Sequence, residues 1–113
     1  MHTIWKFPIK VTDRQGINVP NDAYPVHVGL DPVGNLCIWL RVDPDRIKRK
    51  MIVRLFGTGH PIDDTTLVFV GSVKQANFMW HIFVSPILEP PDEPYGNATN
   101  AAIASAATRQ IQG

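Results

Sequence analysis

Met51-Ile52-Val53-Arg54-Leu55-Phe56-Gly57-Thr58-Gly59-His60-Pro61-Ile62 decides the fold class. Its first half alternates with the period of a strand. Met51, Val53 and Leu55 point one way, and Ile52, Arg54 and Phe56 the other. Its second half is a sharp break: Gly57 and Gly59 admit backbone angles that other residues resist, and Pro61 has no N–H for a sheet ladder. The apolar segments on either side read as strands that need this one as a neighbour.

After the break, Thr66 to Val73 alternates as a strand, Lys74-Gln75-Ala76-Asn77 reads as a hairpin loop, and Phe78 to Val84 is the last strand. In that strand Phe78, Trp80, Ile82 and Val84 share one face, and Met79, His81 and Phe83 the other. Before the organising strand, Tyr24 to Leu30 and Leu36 to Val42 form a hairpin around Asp31-Pro32-Val33-Gly34-Asn35. Val26, Val28 and Leu30 are expected on its inner face, together with Leu36, Ile38, Leu40 and Val42. Cys37 and Trp39 on the opposite face indicate cover on both sides, as in a sandwich, a barrel or an oligomer.

Further out, Ile4 to Val11 sets Trp5, Phe7, Ile9 and Val11 on one face, and Pro8 marks it as an edge strand. Asp13 to Gly16 reads as a turn, and Ile17 to Val19 as a short strand. No helical pattern interrupts the strands. The expectation over residues 1–84 is an all-β domain, antiparallel and mostly up-and-down, folded into a barrel or sandwich.

Composition changes at Ser85. Residues 85–96 hold four prolines and form an extended connector, and residues 97–113 are an alanine-rich tail. Asn97, Thr99 or Asn100 offers a helix cap there, but isolated helices of this length are marginal in water. The tail is therefore either disordered or docked on another surface. Tyr95, Ile103 and Ile111 are its candidate partner contacts.

The chain has 113 residues, which is room for one core, with 44% hydrophobic and 19% charged residues. A net charge of +1 creates no global pull toward nucleic acid or membrane. The single cysteine, Cys37, excludes an intrachain disulfide. No apolar run resembles a signal peptide or reaches the roughly 20 residues of a membrane span. A cytoplasmic location is expected, or packaging into a particle from the cytoplasm.

Gly57-Thr58-Gly59-His60 has the composition of a tight turn, and secondarily of a nest of N–H groups for an anion. Neither nucleotide-binding fingerprint is present. His2, His27, His60 and His81 lack ligand spacing, so no metal or other cofactor is expected. No nucleophile–base motif is legible, and the expectation is a protein that is not an enzyme.

Arg46, Lys48, Arg49, Lys50 and Arg54 place five of the eleven basic residues within nine positions. Lys48, Lys50 and Arg54 would line one strip able to hold phosphates, although charges on an exposed strand equally serve to prevent aggregation. With the Gly57–His60 loop they make up the candidate ligand site.

Ile4-Trp5-Lys6-Phe7-Pro8, His27-Val28-Gly29, Leu36-Cys37-Ile38-Trp39, Phe56-Gly57-Thr58-Gly59-His60-Pro61-Ile62, Phe69-Val70-Gly71 and Trp80-His81-Ile82-Phe83 recur in an order that resembles a family of short uncharacterised proteins of tailed bacteriophages and prophages, a domain of unknown function. The resemblance covers about Met1 to Phe83 and implies no activity, cofactor or site residue. It does imply a phage accessory protein. The expected role is a homo-oligomer that binds a host factor or a small nucleotide signal in the infected cell. The alternatives are a virion decoration protein whose tail lies on neighbouring subunits, and a single-strand nucleic-acid binder using Tyr24, Trp39 and the basic strip.

Overall fold

The computed structural model describes residues 1–91. Tyr95, Ile103 and Ile111, the expected tail helix and the end of the connector lie outside the described residues. Seven strands form: β1 (Thr3–Pro8), β2 (Arg14–Pro20), β3 (Tyr24–Leu30), β4 (Leu36–Val42), β5 (Lys48–Gly57), β6 (Val68–Gln75) and β7 (Phe78–Val84). They build a three-stranded sheet in the order β1-β4-β3 and a four-stranded sheet in the order β2-β5-β7-β6, every pairing antiparallel.

The architecture is a two-layer sandwich and not a closed barrel. Nor is it up-and-down. Only β3–β4 and β6–β7 are hairpins, while β1 pairs with β4 and β2 with β5. The chain changes layer after β1, β2 and β4, and that is how two sheets bury their inward rows against one shared core. The organising strand sits inside the larger sheet, between β2 and β7.

Alternation decides which residues enter the core. From β5 these are Met51, Val53 and Leu55, from β4 Leu36, Ile38, Leu40 and Val42, and from β7 Ile82 and Val84, all nearly inaccessible. Each such side chain contributes roughly 1.5–3 kcal/mol relative to exposure. Trp5, Phe7 and Ile9 join them from β1 and the residue after it, but Val11, expected on that face, is exposed. Val11 lies beyond the ladder, which ends at Pro8 opposite Cys37.

On β3 only Val28 of the expected inward row is buried, and Val26 and Leu30 are exposed. A register shift between Pro25 and His27 breaks the two-residue period there. The turn expected at Asp13–Gly16 is instead the start of β2. Gly16 lies opposite Ile52, and a Cβ built on it would come within 2.6 Å of Lys50 Cδ, so the glycine admits the aliphatic stem of Lys50 across the strand.

The described part of the connector docks on its own domain. The Ser85 N–H donates to the Ile52 carbonyl at 3.0 Å, and Lys50 and Glu89 exchange two backbone hydrogen bonds of 2.8 Å. Residues 86–88 bulge out of this extended ladder, and Leu88 packs against the core.

The free edges of β3 and β6 approach each other without pairing. A Cβ on Gly71 of β6 would lie 2.8 Å from Cγ2 of Val28. Gly71→Ala is expected to destabilise the protein by about 1–3 kcal/mol in urea denaturation, as overpacking does. Combined with Val28→Ala it should cost clearly less than the sum of the single changes, and strict additivity would show that the edges do not touch.

Candidate functional site

The break after β5 is a β-turn closed by the His60 N–H donating to the Gly57 carbonyl at 3.1 Å. Gly59 holds the third position with φ +89°, as a type II turn requires. The His60 ring folds back, and its Nδ1 accepts from the Gly57 N–H at 3.2 Å. Two backbone N–H groups of the expected nest are therefore used within the turn. The turn projects Thr58 and His60 at the edge of the outer face of the four-stranded sheet.

That face is aromatic. Phe83 of β7 packs edge-on to Phe56 of β5 at 5.5 Å and tilted against Phe69 of β6 at 5.3 Å. Beside them, His81 is bridged by two hydroxyls: Ser72 Oγ lies 2.7 Å from its Nδ1, and Thr58 Oγ1 2.8 Å from its Nε2. A neutral imidazole offers one donor and one acceptor, so one hydroxyl donates while the other accepts. The three phenylalanines, His81 and Thr58 line a shallow hollow of about 310 Å³ together with Ile62. A second hollow, of about 330 Å³, lies on the other side of the same turn, against Phe78, Met79 and Trp80. The Gly57–His60 turn is thus a polar ridge between two apolar depressions.

The alternation of β7 assigns His81 and Phe83 to one face, but it says nothing of Phe69 and Ser72. Those two are three apart in sequence and share a face through a register shift between Phe69 and Gly71, which sets Phe69 opposite Phe83 and Ser72 opposite His81. Strict alternation would separate them.

The candidate ligand residues fall into two groups. Gly57, Thr58, Gly59 and His60 line the aromatic hollow, and Arg54 shares an adjacent hollow of about 370 Å³ with Phe56 and His60. Arg54 donates to the Asp63 carboxylate at 2.8 Å and to the Asp13 carbonyl at 2.9 Å, and its guanidinium lies 5.0 Å from the centre of the Phe56 ring. Lys48 and Lys50 are not in either hollow. The Lys48 ammonium lies 4.9 Å over the Trp5 ring, where burial lowers its pKa. The Lys50 ammonium is 3.9 Å from Glu89. No continuous strip of open cations results.

On the outer face of the three-stranded sheet, the Lys6 ammonium and Asp31 carboxylate pair at 3.2 Å with side chains only 12% and 6% exposed. The Asn35 backbone N–H, with further donation from Lys6 and Val33, holds the Asp31 carboxyl below its usual range. Cys37 lies beneath, its thiol 3.9 Å from Asp31, and His27 packs on Trp39 at 5.3 Å. Burial, then the Asp31 charge, pushes the Cys37 thiol up from 9.0 to about 11.

The sign of that shift sets a pH window. Below about pH 9 the thiol is protonated folded or unfolded, and between 9 and 11 only the unfolded chain releases the proton. Stability is expected to fall over that interval, and to fall less in Cys37→Ala than in the native sequence when urea midpoints are compared at pH 8 and pH 10.5. At the turn, Gly59→Ala is expected to cost about 1–2 kcal/mol, measured by thermal denaturation, because an L-residue at φ +89° is strained.

Comparison with curated proteins and with solved structures finds no match. The family described as Domain of unknown function (DUF7352) matches residues 1–92, the whole sandwich together with the docked part of the connector. Its match spans most of the 113 residues, and the chain belongs to this family.

Proposed function

We propose that this protein is a non-enzymatic accessory protein of a tailed bacteriophage. It acts in the host cytoplasm as a homo-oligomer that holds a host protein on the outer face of the β2-β5-β7-β6 sheet. The carrying observation is the group of exposed apolar side chains that this face presents beside one turn: Ile62 at 46% exposure, Phe69 at 56% and Met79 at 42%. Isolated exposed hydrophobics are ordinary, but a group flanking one ridge has the composition of an interface centre, with Phe and Met enriched. The phage setting rests on the motif resemblance in the sequence.

Electrostatics favour a protein over a small nucleotide as the partner. Arg54 is already paired with the Asp63 carboxylate and donates to the Asp13 carbonyl, so a phosphate there would have to displace Asp63. Lys48 and Lys50 point their charges elsewhere.

The test is affinity capture from infected cells with native protein and with the double variant Phe69→Ser/Met79→Ser, alongside light scattering after size exclusion. Both side chains are exposed; Met79→Ser is expected to change stability by about 0.5 kcal/mol, and Phe69→Ser by about 1 kcal/mol because it loses the ring contact with Phe83. Partner capture should be lost. Undiminished capture by the double variant, or an abundant place for the chain in purified virions, would replace this reading with the decoration-protein alternative.

A further inference from the structure

The inward row of β5 does not begin with an apolar residue. It reads Arg49, Met51, Val53, Leu55, and Arg49 lies opposite Val19, which is fully buried. Arg49 is half-buried at the mouth of the core, where an arginine is costly unless an anion meets it. The other cations of β5 are all engaged: Lys48 on Trp5, Lys50 on Glu89 and Arg54 on Asp63. Of the four cations of that strand, Arg49 alone has no hydrogen bond, ion pair or ring contact for its side chain among the described residues.

Arg49 lines a groove of about 560 Å³ at the end of the sandwich, within the ordinary range for small-molecule sites. Met51 and Val84 belong to the core at its base. The groove's other apolar walls include Tyr24, Val68 and Ile87, which are 60%, 44% and 76% exposed. Ile87 comes from the bulge of residues 86–88, which the Ser85 and Lys50–Glu89 backbone bonds hold in place. The other charged residue of the lining is Asp22, whose carboxylate is 3.1 Å from the Arg46 guanidinium and 64% exposed. The groove therefore combines apolar walls with one unanswered guanidinium, and a guanidinium binds a carboxylate through two parallel N–H···O bonds.

We propose that this groove binds a small amphipathic monocarboxylate, its carboxylate on Arg49 and its apolar body along Tyr24, Val68 and Ile87. The site is separate from the aromatic face and does not depend on the partner assigned there. The guanidinium supplies the charge selection, and the exposed apolar walls supply the driving force on being covered.

Calorimetric titration of the full chain with decanoate below its micelle threshold tests this. Acetate serves as the probe without an apolar body, and decyltrimethylammonium as the probe of opposite charge. Decanoate is expected to bind and raise Tm, and both controls to bind far more weakly. Arg49→Gln should weaken decanoate binding by about tenfold or more, the usual size of a lost charged hydrogen bond. Arg49→Lys should retain part of it. Should Arg49→Gln not fold by circular dichroism, Ile87→Asp serves as the second variant, placing a repelling charge on an exposed wall, and it should abolish binding. No decanoate binding by the native chain, undiminished binding by a folded Arg49→Gln or Ile87→Asp protein, or equal binding of the cationic probe would overturn the proposal.

Discussion

Two inward-facing aliphatic rows, Met51-Val53-Leu55 on β5 and Leu36-Ile38-Leu40-Val42 on β4, lie in different sheets and bury each other. Neither row can be covered within its own sheet, because a strand's hydrogen-bonded neighbours lie beside it and not above it. That constraint sends the chain from layer to layer after β1, β2 and β4. It also places Trp5 and Phe7 from the first strand, and Ile82 and Val84 from the last, in one shared cluster. The core leaves one buried polar side-chain atom without a partner among the described residues, Nε1 of Trp5, beneath the Lys48 ammonium.

The same alternation that fills the core loads the outer faces with groups that need other solutions. On the smaller sheet the solution is a nearly buried ion pair, Lys6 with Asp31, set over the Cys37 thiol. On the larger sheet it is aromatic packing among Phe56, Phe69 and Phe83, with His81 held between two hydroxyls. The first arrangement closes its face with charge already neutralised. The second leaves apolar side chains open beside the Gly57–His60 turn, where the proposed partner surface lies.

The basic residues show how charge that is clustered in sequence disperses in space. Lys48, Arg49, Lys50 and Arg54 share one strand but reach four different surroundings: an indole ring, an apolar groove, the Glu89 carboxylate and the Asp63 carboxylate. The acidic partners lie outside the strand, Asp63 in the loop that follows it and Glu89 in the connector beyond β7. Without knowledge of where residues 63 and 89 return, a run of lysines and arginines reads as one positive strip.

Periodicity alone was enough to identify an all-β chain, the strand at 51–56 with its outward and inward rows, the β3–β4 hairpin and the glycine turn. These are local properties, written in side chains that alternate every second residue and in backbone angles that only glycine accepts cheaply. Strand order, the sandwich in place of a barrel, the return of Glu89 to pair with Lys50, and the meeting of Phe69 and Ser72 with Phe83 and His81 were decided only in three dimensions. Each depends on partners many residues apart or on a register shift that breaks the two-residue period, as at Pro25–His27 and Phe69–Gly71. A single strand's pattern carries no information about which edge it will meet, because every edge offers the same N–H and C=O groups.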